Sequence, residues 1–383
     1  MKITSLSTDN WRNFRSLDFP VEDRLIVVGP NASGKSNFLD LFRFLGDIAA
    51  DGGGLAAAVD SRGGMSKVKS LFSRNNAEGK LRIKVSLLDG DVSWDYELSV
   101  KSEPRGHHRP LVDSEKVTRN GEVILHRPDE NDRQDPELLT QTHLEQIFTN
   151  KSFRGIAEHF RSIRYFHLSP QAIRETSPGA HSNEPYGSGL LSSINSTSAR
   201  TRSKWLSTIQ QVLQSAVPQF ESLTLEVDES GQPHLVAGYR NWRQSPALQR
   251  ETEFSDGTLR LIGLLWAVIS SRTSGGLLLL EEPELSLNAA IVRSLPTMLA
   301  SAQRGNDLQV FMSTHSPDLL DDEGVHPSEI LVLTVGNNGT EGALLSEISQ
   351  AQPQLTVGLP RADIVSGLID PNDLSTVPQT LAG

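Results

Sequence analysis

Eight consecutive residues, Gly29-Pro30-Asn31-Ala32-Ser33-Gly34-Lys35-Ser36, match G-x-x-x-x-G-K-[ST] in full. Glycines at those places let backbone amides curl around phosphate oxygens, and a following helix turns its positive end toward them. Lys35 would then reach the β- and γ-phosphates, and the Ser36 hydroxyl would bind Mg2+. The competing reading is a chance glycine turn. The strand-like Arg24 to Val28 before the loop and the apolar-periodic Lys35 to Ala49 after it argue against that.

Three further places carry chemistry. Leu277 to Leu280 is a four-leucine run followed directly by Glu281-Glu282-Pro283-Glu284. A buried strand ending in carboxylates can deliver one to a metal and another to an attacking water. Glu281 is assigned to the metal, directly or through water, and Glu282 to the water; alone, the run also reads as a solvated acidic turn. The apolar strand Gln309 to Met312 leads into Ser313-Thr314-His315-Ser316-Pro317. It places His315 at the carboxyl end of a strand, where α/β sheets bind ligands, although a lone histidine is commonly an ordinary polar residue. Phe254-Ser255-Asp256-Gly257-Thr258-Leu259-Arg260 precedes an apolar helix. Ser255 or Asp256 can cap that helix and Gly257 allows a phosphate close, while a plain capped start fits equally well.

These residues need elements to hold them. Strands are expected at Lys2 to Ser7 and Arg24 to Val28, with hairpins across Asp89-Gly90 and Asn120-Gly121. The glycines from Gly52 to Gly64 predict a surface loop, as do the polar residues Pro128 to Pro136. Helices are predicted over Glu137 to Phe148, Phe153 to Ser162 and Ser203 to Ala216, with a strand at Ile163 to Leu168 and a hairpin at Leu223 to Tyr239. Thr176 to Thr201, rich in Ser, Gly and Asn, reads as a mobile loop or lobe boundary. The final third alternates helix and buried strand, which indicates an α/β layer with a largely parallel sheet. No repeat and no heptad run for a coiled-coil arm occur.

Composition narrows the field. The 383 residues contain no cysteine, which excludes disulfides, thiolate metal sites and a cysteine nucleophile. The net charge of −11 argues against a surface that grips nucleic acid throughout. From Glu251 onward there are 5 basic and 17 acidic residues, against 31 and 30 before it. A basic face on the first two thirds is therefore compatible with the total. Arg200, Arg202 and Lys204, and Arg240, Trp242 and Arg243, are the candidate DNA contacts. The competing reading there is a solvated basic face with a half-buried Trp242. No export or membrane-spanning pattern is apparent, and a cytoplasmic location is expected.

The order of phosphate loop, Ser-x-Gly helix start, Glu-Glu strand and histidine strand resembles the nucleotide-binding head of ABC-type ATPases. There these are the Walker A, signature, Walker B and H-loop elements. Trp11-Arg12-Asn13-Phe14-Arg15, Gly-Pro-Asn-x-Ser-Gly-Lys-Ser-Asn, Glu-Glu-Pro-Glu and Ser-Thr-His-Ser-Pro resemble its SMC, RecF and OLD branch. The resemblance spans roughly Met1 to Asp321. It implies an α/β P-loop NTPase head with a mixed or parallel sheet core, an antiparallel β subdomain and a helical signature lobe. The whole chain, 1–383, would be one head: 1–175 and 273–383 building the ATP-binding lobe, 176–272 the signature lobe.

It also implies an ATP hydrolase using ATP and Mg2+. Lys35, Glu282 and His315 would be catalytic, and Ser36, Glu281 and Gln171 would serve the metal. Nucleotide contacts would come from Asn13, Phe14, Gly29 to Asn37, and, across a head-to-tail homodimer, Ser255 and Gly257. The chain departs from this pattern with Glu281 where aspartate is usual and Asn288 where the branch often has histidine, and with no evident glutamine loop beyond Gln171. The stretch after His315 holds no Asp-x-Asp, since Asp370-Pro371-Asn372-Asp373 is spaced wrongly, so a resident nuclease is not expected. The expected role is a switch subunit in phage defence or DNA repair with a separate effector or nuclease. The alternative is a nucleotide-gated binding module with little turnover; a transporter ATPase fits poorly.

Overall fold

The computed structural model describes residues 1–70, 79–106, 108–175, 184–242, 245–337 and 339–369. Asp370 to Asp373 and Arg243 lie outside them, as does part of the expected loop from Thr176 to Thr201. The chain divides into two compact units, Met1–Ile163 with Glu323–Gly383, and Arg164–Asp322.

In chain order the first unit begins with β1 (Lys2–Trp11), β2 (Phe14–Pro20), β3 (Arg24–Val28) and β4 (Leu81–Asp89). It continues with β5 (Val92–Ser102), β6 (Pro110–Arg119) and β7 (Glu122–Arg127). The second unit supplies β8 (Arg164–Phe166), β9 (Phe220–Val227), β10 (Pro233–Tyr239), β11 (Ala247–Arg250), β12 (Gly276–Glu281) and β13 (Leu308–Ser313). β14 (Ile330–Gly336) and β15 (Gly339–Leu344) complete the first.

The first unit is a large mixed sheet in the order β7-β6-β5-β4-β1-β2-β15-β14-β3. Antiparallel pairs run from β7 to β2, whereas β15 pairs with β2, and β14 with β3, in parallel. β3 is buried at every residue, as its Leu-Ile-Val-Val run requires. The Lys35–Ala49 helix buries Phe38, Leu39, Leu41, Phe42, Phe44, Leu45 and Ile48. Its Phe44 ring meets the indole of Trp11, centroids 5.2 Å apart.

The second unit holds the parallel strands β13-β12-β8 and a separate antiparallel sheet β11-β10-β9. Its core joins Leu206, Ile209 and Leu213 of the Ala199–Ala216 helix to Leu259, Ile262 and Trp266 of the Asp256–Ser274 helix. A head with mixed sheet, small antiparallel sheet and helices is the expected class.

Several local expectations are corrected. The first strand runs on to Trp11 and turns back as β2, which was not anticipated; Trp11 pairs with Phe14 across the turn. The glycine-rich stretch expected as loop contains the helix Leu55–Asp60, and a second short helix, Met65–Val68, follows it directly. Pro128 to Pro136 holds a short helix, Glu130–Gln134, closed by a capping box between Asp129 and Asp132. The helix predicted over Glu137 to Phe148 is instead a 3-10 turn, Pro136–Thr140, followed by turns. Its backbone is committed elsewhere. Arg127 donates to the Leu138 and Gln141 carbonyls, and fully buried Glu115 accepts from the His143 and Leu144 amides. Burial pushes the Glu115 carboxyl up, against the lowering pull of those amides and of Arg127.

Candidate functional site

The phosphate loop leaves β3 in the first unit and opens the Lys35–Ala49 helix. Ala32 at φ 62° and Gly34 at φ 99° are both left-handed, which curls the loop. Glycine is required at 34, because a Cβ there would lie 2.1 Å from Asn13 Nδ2. Lys35 is buried, and its ammonium donates to the carbonyls of Gly29 at 2.8 Å and Pro30 at 3.1 Å. Asn31, Ala32 and Ser36 are exposed, while the Ser33 hydroxyl is buried with no hydrogen-bond partner among the described residues. This cradle fits a polyphosphate: a curled backbone, a lysine at its rim and a helix start behind it.

The turn between β1 and β2 holds that cradle. Asn13 donates to the Ser33 carbonyl and the Thr340 hydroxyl, each at 2.7 Å, and accepts from the Asn37 amide at 2.8 Å. Trp11 donates its indole N–H to the Asn37 carbonyl at 2.6 Å. Arg12 and Arg62 both pair with Asp40, on the helix one turn beyond Ser36. Phe14 is fully buried in β2. Thr340, Asp40 and Arg62 were not singled out from sequence; only Asp40, at helical spacing from Ser36, carried a local signal.

The second unit holds the carboxylates. Glu281 ends β12 in a buried position and accepts a hydrogen bond from the Tyr165 hydroxyl of β8. The next residue breaks the strand: Glu282 has φ 45°, a left-handed conformation that non-glycine residues hold only under constraint. Its amide is fixed by the Ser313 carbonyl at 3.1 Å and hydroxyl at 3.3 Å. This bend presents the Glu282 carboxylate to His315, whose Nε2 lies 3.0 Å from Oε1. With the proton on Nε2, the histidine donates to one carboxylate oxygen and leaves the other able to accept from a water.

Glu284 is a third carboxylate here, with a role that sequence reasoning did not assign. It is buried, and Oε1 accepts from the Thr314 hydroxyl at 2.6 Å and the His315 amide at 2.9 Å. Its Oε2 is buried with no partner among the described residues. Arg260 is a buried cation of this unit. Burial lowers its affinity for the proton, against the raising influence of Glu282, Glu284 and Asp256.

The signature residues open the Asp256–Ser274 helix. Ser255 caps it, accepting from the Thr258 amide at 3.2 Å. Gly257 has a packing reason as well, since a Cβ would meet the Ser286 carbonyl at 2.5 Å. Asn288, the departure from histidine, caps the Ala289–Gln303 helix through the Ile291 amide. Gln171 is exposed on the short Pro170–Arg174 helix and donates to Glu175 at 3.0 Å. Among the described residues no cluster of three or more His, Asp or Glu makes a stand-alone metal site.

Of the DNA candidates, Arg202 donates to the carbonyls of Asn195 and Thr197, a local tie. Trp242 is 87% exposed, which corrects the half-buried alternative. Among the described residues no helix is long and apolar enough to cross a membrane.

Fold and motifs together define a head of the ABC-type, SMC-like fold. The chain belongs to the family described as "AAA domain, putative AbiEii toxin, Type IV TA system", whose profile matches residues 25–321. Its fold is similar to an Smc head solved bound to the C-terminal winged-helix domain of ScpA. That match has 15% identity and a TM-score of 0.56, covering 90% of this chain and 98% of that one. It is similar also to an Smc head with an extended coiled coil, bound to the C-terminal domain of ScpA, from Pyrococcus furiosus. There the identity is 13% and the TM-score 0.50, over 93% and 99% of the two chains. No curated protein matches the chain.

Proposed function

We propose that this chain is an ATP-binding and ATP-hydrolysing switch subunit that pairs head-to-tail with a second copy around ATP. The observation that carries the reading is the Glu282–His315 pair, set by a strained backbone at the end of a buried strand, in a chain that also has a complete phosphate loop.

Lys35 and the loop amides from Gly29 to Asn37 would bind the phosphates. Asn13 and Phe14 would support the nucleotide from the turn between β1 and β2. Ser36 and Glu281 would hold Mg2+, with Gln171 as a further candidate ligand, and the bound ion would compensate charge on the phosphoryl oxygens. Glu282 would orient and deprotonate the water, and His315 would keep its carboxylate turned toward it. Ser255 and Gly257 would contact the ATP of the second copy, an arrangement with two equivalent sites. The ATP-binding lobe would come from 1–175 and 273–383, and the signature lobe from 176–272.

The cellular role proposed is anti-phage defence or DNA repair, in the cytoplasm, with a separate effector or nuclease. The toxin–antitoxin wording of the family description supports the defence side. Two Smc heads of this fold were solved with domains of ScpA, which supports a separate protein partner here. DNA remains a candidate partner through Arg200, Arg240 and the exposed Trp242.

Measuring Mg2+-dependent ATP turnover and nucleotide binding together tests the reading. Lys35→Ala is expected to lose both, and Glu282→Gln to keep binding while turnover falls about 100-fold or more. Turnover unchanged in both variants would overturn it. A second reading, a nucleotide-gated binding module with little turnover, is favoured by Glu281, the longer acid, already engaged by Tyr165. ATP-driven pairing with negligible hydrolysis would select it.

A further inference from the structure

The signature turn carries a charge at odds with the task proposed for it. Asp256 stands between Ser255 and Gly257, the two residues proposed to meet ATP phosphates on a second copy. Within its own helix the carboxylate is favourable, because it sits in the first turn at the positive end. Toward an approaching phosphate it repels.

Arg174, the last residue of the Pro170–Arg174 helix, meets that charge. One guanidinium nitrogen donates to Asp256 Oδ1 at 2.6 Å and to the Phe254 carbonyl at 2.7 Å. Arg174 Nε is buried and has no partner among the described residues. The tie also runs the other way. Arg260, one turn into the signature helix, donates to the Leu168 carbonyl just ahead of Pro170, and its Nε and Nη1 have no partner among the described residues. The segment that carries Gln171 and the turn that carries Ser255 are thus fastened in both directions. The Arg174–Asp256 pair is partly exposed, at 26% and 60%, and exposed pairs add little to folding stability. Its geometry is better explained by what the turn must approach.

We infer that Arg174 is a positioning residue of the signature: held in place by the Phe254 carbonyl, it cancels the Asp256 carboxylate, so that Ser255 and Gly257 can approach the phosphates held by a second copy. This rests on the head-to-tail pairing proposed above.

Self-association with Mg-ATP is measured by sedimentation in a Glu282→Gln background, alongside nucleotide affinity of the dilute chain. Arg174→Gln is expected to weaken ATP-dependent association by about tenfold or more, with affinity of the dilute chain held within about twofold. Adding Asp256→Asn to it is expected to bring association back to within about threefold of the parent, because the uncancelled charge is then gone. An Arg174→Gln chain that associates like its parent, or a double variant as weak as the single, overturns the inference. If Arg174→Gln fails to fold, Asp256→Asn alone decides: association at least as tight as the parent supports the inference, and a loss of about tenfold overturns it. A parent that binds ATP but stays monomeric overturns the pairing itself and the inference with it, a result distinct from either failure above.

Discussion

The phosphate loop and the acidic strand end are built on opposite principles. The loop is shaped by backbone: two left-handed residues, a glycine with no room for a Cβ, and an asparagine that ties three places together. The acidic end is shaped by charge and by distant side chains. Glu282 is bent into place by Ser313, Glu284 is consumed in holding Thr314 and His315, and Glu281 is met by Tyr165. A backbone-built site tolerates almost no change at its glycines but little depends on its neighbours' charges. A charge-built site should yield by degrees as each partner is removed.

The largest effect should therefore come from the loop. Gly34→Ala places a Cβ on Asn13 at a φ of 99°, where both the clash and the left-handed strain oppose it. Nucleotide affinity, measured by calorimetry, is expected to fall on the order of 100-fold, equivalent to roughly 3 kcal/mol. Retention of wild-type affinity would mean that the loop is held less firmly than its contacts imply, and the contrast between the two regions would collapse.

The same contrast explains what could be read from sequence. The loop, its preceding strand and the bounds of the Lys35–Ala49 helix were legible because they are local: glycine positions and a 3.6-residue apolar period suffice. The carboxylates and His315 were legible as types at strand ends. Their supports were not. Tyr165 lies 116 residues from Glu281, Thr314 lies 30 from Glu284, and Thr340 lies 327 from Asn13. No spacing rule spans such separations. The failed helix over Glu137 to Phe148 has the same cause, since Arg127 and Glu115 claim its carbonyls and amides from outside the segment. β2 was missed because its buried residues, Phe14, Leu17 and Phe19, do not alternate strictly.

A middle-sized effect is expected at Glu284. Glu284→Ala leaves the buried Thr314 hydroxyl and the His315 amide without their acceptor, which should cost about 2 kcal/mol of stability in denaturant unfolding. Turnover is expected to fall about tenfold through displacement of His315 from Glu282, with ATP affinity nearly unchanged because the phosphate loop is untouched. Glu284→Gln, which keeps an acceptor oxygen, should recover most of the stability. Equal loss in both variants would show that the charge, and not the two hydrogen bonds, does the holding.

The smallest effect tests whether Tyr165 supports Glu281 or competes for it. Its hydroxyl occupies one oxygen of the carboxylate assigned to the metal, and glutamate's extra methylene gives that group reach to be held elsewhere. Tyr165→Phe keeps the ring in β8 and removes that one hydrogen bond to the carboxylate. One neutral-to-charged hydrogen bond is a modest term, so the Mg2+ concentration for half-maximal nucleotide binding is expected to fall about threefold. A rise of similar size would mean that the tyrosine orients Glu281 toward the metal. Glu281 would then belong with Glu284 and Asn13, as a group whose geometry is fixed by a remote partner before any ligand arrives.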